Sequence, residues 1–179
     1  MSRVRIIGGR WRSRLLEVAA VPGLRPTPDR VRETVFNWLG QDLTGLTVLD
    51  LFAGTGAMGF EAASRGASRV VMVEQSAAAC AVLQQSAKTL LAEGVEIVRG
   101  DAVKFAQSTA ASFDVIFLDP PYNKGLVECA APLIGNLLAP GGWLYVEAER
   151  PMSNLGPYST VRQGKAGQVY YQLMQQGER

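Results

Sequence analysis

From Leu46 onward, short apolar runs alternate with helix-like stretches, and this alternation limits the fold more than any other feature. "LTVLDL" (46–51), "RVVMVE" (69–74), "VEIVRG" (95–100), "FDVIFLD" (113–119) and "GGWLYVEAE" (141–149) read as five strands. Between them lie "AMGFEAASRG", which ends at a glycine, and the alanine-rich "SAAACAVLQQSAKTLLAEG", with Ser76 as its cap. A short helix follows near Val103–Thr109, and another over residues 125–138. Strands that are apolar nearly throughout are buried on both faces, so the sheet is expected to be parallel and covered by helices. The tail differs: "YSTVRQG" and "QVYYQLMQQ" flank "KAGQ" and read as a closing antiparallel hairpin. The expectation is an α/β fold, mostly parallel, with an antiparallel C-terminal strand.

The N-terminal part reads otherwise. Residues 3–7 and 14–18 are β-type runs around "GGRWR", and Gly8-Gly9 predicts a hairpin turn. "VPGLRPTPD" is a loop. The helix "DRVRETVFNWLG" follows, with Thr27 or Asp29 as cap, Val31, Val35, Phe36 and Leu39 on one face, and Gly40 at its end. The 179 residues suit one domain, with residues 1–24 as a basic arm and 28–179 as the α/β core.

Charge is uneven. Residues 1–32 hold eight arginines against Glu17 and Asp29, a net +6, so the rest carries −4. A polyanion-binding arm on a near-neutral body is expected, with a solvated, salt-bridged surface as the plainer alternative. Histidine is absent, which excludes histidine triads, metal ligands and bases. Cys80 and Cys129 lie far apart in expected helices and read as buried thiols, without metal-ligand spacing. No apolar run approaches the ~20 residues of a membrane span. The N-terminus has no apolar signal core, so a soluble cytoplasmic protein is expected.

"VLDLFAGTGAMGFEA" carries Gly54, Gly56 and Gly59 in G-x-G-x-x-G spacing after the first strand. Glu74 ends the second strand, where an acid can accept hydrogen bonds from ribose hydroxyls. Dinucleotides and S-adenosylmethionine both use such a turn. Asp50, four residues before Gly54, would repel a pyrophosphate but suit the aminium and sulfonium of the methyl donor, which favours that donor over NAD. Asp101, with Ala102 beside it, ends the third strand; it either meets the adenine amino group or caps the next helix.

"FLDPPYNKG" ends the fourth strand on Asp119, then on Pro120, Pro121 and Tyr122. Strands one and four are neighbours across the switch point of such sheets, which puts this corner beside the glycine turn. An aromatic exocyclic amine is a poor nucleophile because its lone pair is delocalised. Two acceptors aimed at its N–H bonds favour a pyramidal nitrogen. Asp119 supplies one acceptor and the Pro120 carbonyl, held still by the prolines, the other. Tyr122 supplies a stacking face, worth ~1–3 kcal/mol per base. The plainer reading is a rigid turn after a buried strand.

"LDLFAGTGAMGFEA" with "DPPY" resembles the class I amino-methyltransferases of nucleobases. "RIIGGRWRSRLL" followed by "LRPTPDRVRETVFNWL" is similar to the RsmD family of 16S ribosomal RNA guanine-N2 methyltransferases, from Arg5 to about Tyr171. The resemblance implies a Rossmann-like fold and methylation of one guanine, position 966 in the standard rRNA numbering, with the small subunit or an assembly intermediate as substrate. It implies S-adenosylmethionine as the donor; a monomer without a metal is expected. Asp50, Phe52, Gly54 and Gly56 would line the donor pocket, Glu74 the ribose and Asp101 the adenine. Asp119, Pro120 and Tyr122 would meet the target base, and Arg25 and Thr27 would lie near the mouth. Arg10 and Arg12 offer phosphate contacts, and Trp11 either a stacking ring or a packed hairpin residue. DNA adenine or cytosine amino methylation, a NAD-dependent oxidoreductase and a non-catalytic RNA-binding module are the alternatives.

Overall fold

The structure, a computed structural model, describes residues 2–122 and 124–177. The chain opens with β1 (Arg3–Arg5) and β2 (Leu15–Glu17), an isolated antiparallel pair, and α1 (Asp29–Leu39). Strand and helix then alternate: β3 (Thr47–Asp50), α2 (Ala57–Ser64), β4 (Arg69–Glu74), α3 (Ala77–Thr89), β5 (Val95–Arg99), α4 (Ala102–Ser108), β6 (Phe113–Leu118) and α5 (Leu126–Leu137). The chain closes with β7 (Leu138–Ala148), β8 (Asn154–Leu155), β9 (Tyr158–Ala166) and β10 (Val169–Gln176).

The main sheet has the order β5-β4-β3-β6-β7-β10-β9-β8. Strands β5 to β7 are parallel, as the continuous apolar runs required. The expected closing antiparallel hairpin forms as β9 and β10, and a two-residue strand is added at its edge. β10 pairs with β7, β9 with β10, and the two-residue β8 with β9. The chain builds outward from β3 to β5, then returns to lay β6 against β3. That reversal is the switch point, and it opens a crevice at the carboxyl ends of β3 and β6.

Register sets what faces this crevice. Asp50 lies opposite Phe117, and Phe117 opposite Tyr145. Side chains two residues apart share a face, so Asp119 and Glu147 rise beyond that row on the side covered by α1. Phe36 of α1 packs on Phe117 with centroids 5.9 Å apart, and Tyr145 meets Phe117 edge-on at 5.8 Å. The opposite face buries Ile116, Leu144, Val146 and Leu118 against α5 residues Ala130, Ile134 and Leu137.

The expected N-terminal hairpin forms, with a turn at Gly9, whose carbonyl accepts from Arg12 N at 3.2 Å. The whole connection from Ile6 to Arg14 folds onto the end of α2, where Arg10 N donates to the Ser64 carbonyl at 2.9 Å and Ser64 Oγ donates to the Gly8 carbonyl at 2.6 Å. A Cβ on Gly9, at φ +77°, would lie 2.0 Å from the Ser64 carbonyl oxygen, so close approach explains that glycine. The cap position of α1 is Pro28, and neither Thr27 nor Asp29 caps it with a side chain. Cys80 is buried as expected, but Cys129 is exposed. No helix among the described residues is long and apolar enough to cross a membrane.

Candidate active site

A cavity of about 810 Å³ occupies the switch-point crevice. Its walls are the 23–28 loop, the turn from Asp50 to Ala57, Glu74, the Gly100–Val103 segment, the Asp119–Tyr122 corner and Glu147. Ala166 and Val169, at the tip of the β9–β10 hairpin, close one side. Asp50, Phe52, Gly54, Glu74, Asp101, Ala102, Asp119, Pro120, Tyr122, Arg25 and Thr27 are all brought together here. Gly56, Arg10, Trp11 and Arg12 are not part of its lining.

The three glycines have separate jobs. Gly54, at φ +56°, turns the chain after β3 and stands against Leu24 of the loop above. Gly56, at φ +79°, starts α2 in the left-handed region; a Cβ there would lie 2.6 Å from Leu83 and 2.8 Å from Phe60. Gly59 lets α2 press on β4, because its Cβ would lie 2.6 Å from Met72. Glu74 fastens the turn: one oxygen accepts from Gly54 N at 3.1 Å and the other from Ser76 N at 2.7 Å. Asp101 caps α4, accepting from Lys104 N at 2.9 Å, while it also lines the cavity. The two readings of that residue are compatible in space.

Carboxylates dominate the cavity. Asp50, Glu74, Asp101, Asp119 and Glu147 line it against Arg25 and Lys124. Asp50 is 2% exposed and accepts from Gly59 N at 3.1 Å. Burial pushes its carboxyl up to about 7. Asp119 is raised well above the ordinary carboxylate range, first by burial, then by a hydrogen bond to Glu147 and by the charges of Glu147 and Asp50. Glu147 is 6% exposed, and the buried Tyr145 O–H donates to its Oε1 at 3.0 Å. Burial and the surrounding carboxylates also raise Tyr122, whose ring is 42% exposed at the mouth. Among the described residues, no cluster of three or more His, Cys, Asp or Glu side chains is arranged to hold a metal ion.

A buried ionic hub joins the arm to this cavity. Glu61 is fully buried and accepts from Ile7 N (2.9 Å), Gly8 N (3.0 Å), Arg32 Nη1 (3.1 Å) and Arg65 Nε (2.9 Å). Arg32 also donates to the Thr27 carbonyl at 3.1 Å and the Arg5 carbonyl at 2.8 Å, and pairs with Asp29. Arg32 therefore leaves the surface charge assigned to the basic arm. Arg3 pairs with Glu17 at 3.3 Å. Arg5, Arg10, Arg12, Arg14, Arg25 and Arg30 are exposed. Trp11 takes the packed reading: it is 6% exposed in the core, its N donates to Ser64 Oγ at 3.0 Å, and the Arg10 guanidinium covers its ring at 4.3 Å.

Residues 4–175 match the family model described as conserved hypothetical protein 95. The chain is 42% identical to ribosomal RNA small subunit methyltransferase D of Escherichia coli (strain K12), over 98% of this chain and 93% of that one. The chain belongs to the RsmD family. The RsmD relative from Haemophilus influenzae is 39% identical over 96% of this chain and 93% of its own length. The solved structure of the Escherichia coli protein yhhF superimposes with a TM-score of 0.89 at 39% identity, covering 99% of this chain and all of that one. The class I methyltransferase fold of the RsmD family is thus the fold seen here.

Sequence reasoning missed Glu147, Lys124 and the Ala166–Val169 tip. Glu147 carried a signal: like Asp50, Glu74 and Asp119, it is an acid at or beside the carboxyl end of an apolar strand. The hairpin tip carried none, because its place over the cavity depends on the pairing of β10 with β7.

Proposed function

We propose that this chain transfers a methyl group from S-adenosylmethionine to the exocyclic N2 of a guanine in small-subunit ribosomal RNA. The observation that carries this is the Asp119–Tyr122 corner, which forms one wall of the cavity whose other walls hold Gly54, Glu74 and Asp101. The lining fits a cationic nucleoside donor. Its size lies in the range of small-molecule sites, and five carboxylates against two cations would repel a pyrophosphate. The names of the RsmD relatives supply small-subunit rRNA as the substrate. Position 966 follows from the family resemblance. A flipped-out or loop base presented by an assembly intermediate or the subunit, in the cytoplasm, is the form proposed for it.

When bound, the donor supplies an electrophilic methyl group on a positively charged sulfur. The residues of the chain do the rest. Glu74 offers its remaining lone pairs to ribose hydroxyls, and Asp101 and Ala102 stand where the adenine edge would lie. Asp50 gives negative charge at the cationic end. Asp119 and the Pro120 carbonyl accept the two amine N–H bonds, and Tyr122 stacks on the base. The two prolines hold that carbonyl in one direction, so little reorganisation is needed at the moment of transfer.

Mass mapping of 16S rRNA from cells lacking the protein tests this directly. The expected result is loss of one methyl group from one guanine, restored by the wild-type chain. An unchanged rRNA methylation pattern would overturn the reading. Methyl transfer by the purified chain to duplex DNA alone would replace it with DNA amino methylation.

A further inference from the structure

We infer that Glu147 is the second carboxyl of the transfer site: it fixes the orientation of Asp119 and receives the proton that the target amine gives up. This rests on the methyl-transfer reading above. The geometry comes from the sheet. Leu118 is paired with Val146 in the parallel register of β6 and β7, so Asp119, just past the end of β6, comes beside Glu147, near the carboxyl end of β7. Both line the cavity, and Glu147 stands close enough to Asp119 to raise its carboxyl by hydrogen bonding and by charge. Glu147 is held from behind by the Tyr145 hydroxyl at 3.0 Å. It also lines a smaller recess of about 460 Å³ behind Pro120, Pro121 and Tyr122, which gives it a second side toward solvent.

Two adjacent carboxyls cannot both ionise freely, so they share a proton. Burial and the charge of Glu147 hold it on Asp119. Asp119 can then donate that proton to Glu147 and still turn its other oxygen to an amine N–H. During transfer the nitrogen lone pair forms the new N–C bond as the S–C pair returns to sulfur. The amine nitrogen is then positively charged and strongly acidic. One N–H bond breaks, its electron pair stays on nitrogen, and its proton passes to Asp119. The proton already on Asp119 moves to Glu147, which releases it through the recess. Asp119 touches the substrate; Glu147 acts through it and is a positioning residue. The other titratable or charged groups around the pair are Asp50 on β3, Tyr145 on β7, Tyr171 opposite Glu147 on β10, Tyr122 in the corner, Glu149 beyond β7, and Arg25 and Lys124 of the cavity wall.

The test is single-turnover methyl transfer to small-subunit rRNA by the wild-type chain, Glu147→Gln and Tyr145→Phe, from about pH 5.5 to about 9. Glu147→Gln is expected to slow transfer about 10- to 100-fold, with donor affinity by calorimetry within about threefold. Glu147→Gln also removes the acceptor of the relayed proton, so the acid limb of the profile, which belongs to the coupled pair, should change position. A Glu147→Gln rate within about twofold of wild type at every pH, or above it, overturns the inference. It would mean that Asp119 works alone. If Glu147→Gln shows no melting transition, Tyr145→Phe decides. A slower rate with a displaced acid limb supports the relay, and a profile superimposable on wild type sinks it. A wild-type chain that transfers no methyl to rRNA removes the proposed function itself, a separate outcome from transfer that ignores Glu147.

Discussion

Asp50 is a carboxyl in the wrong solvent. Burial raises it to about 7, and among the described residues a hydrogen bond from Gly59 N offsets part of the cost of ionising it there. A cationic donor favours the ionised form, so below about 7 binding must expel a proton. Donor affinity should therefore rise with pH from about 5.5 to about 7, by up to tenfold per pH unit, and flatten above. Calorimetry in two buffers of different ionisation enthalpy checks this through the released proton. Asp50→Asn should abolish both the proton release and the slope; a slope that persists would assign it to another group. Asp119 makes a different prediction, because the proposed mechanism sets it against the amine rather than the donor. Asp119→Ala should lower the single-turnover rate at least ~100-fold while donor affinity changes little, as for loss of one preorganised acceptor. Equal loss of donor affinity would move Asp119 into the donor site.

At the scale of elements, the arm is fastened to α2 by Ser64 and, through charge, by Glu61. Removing the Glu61 carboxylate takes the buried anion from Arg32 and Arg65 and leaves the N–H groups of Ile7 and Gly8 without their acceptor. Glu61→Ala should cost about 3–5 kcal/mol, a large share of a typical domain's stability. Urea denaturation measures it; a loss below about 1 kcal/mol would mean that the hub relaxes around the gap. This hub was not legible in the sequence, because Arg32 and Glu61 look like any charged residues on helices and only the docking of the arm buries them. The strand–helix alternation was legible, since strands buried on both faces must be apolar throughout. So was the Ser76 cap, whose Oγ accepts from Ala79 N at 3.2 Å. The glycine turn and the Asp119 corner were legible because they couple unusual backbone demands to strand ends. Gly8-Gly9 announced the turn but not the close packing on Ser64 that Gly9 also permits.

Across the whole molecule, the hub puts the arm and the cavity in one rigid frame. Arg32 binds the carbonyls of Arg5 in the arm and Thr27 in the cavity wall, so under the proposed function RNA on the arm would have a fixed relation to the mouth. The arm's surface charge is smaller than its arginine count, since Arg32 is internal and Arg3 is paired. Arg10 and Arg12 remain exposed on the loop docked to α2, and Arg10 is steadied on the Trp11 ring. Phosphate contacts of this kind raise affinity without selecting sequence. Each one lost should reduce the slope of log affinity against log salt by about 0.7 to 0.9. Replacing Arg10 and Arg12 together with alanine should therefore weaken rRNA binding and flatten that slope by between about 1 and 2. Saturating RNA should restore the methylation rate, because the cavity itself is untouched. Filter binding over a salt series and single-turnover rates at high RNA separate the two effects. An unchanged slope would reduce the arm to ordinary surface, and a rate that saturating RNA fails to restore would place these arginines in alignment of the base rather than in capture of the strand.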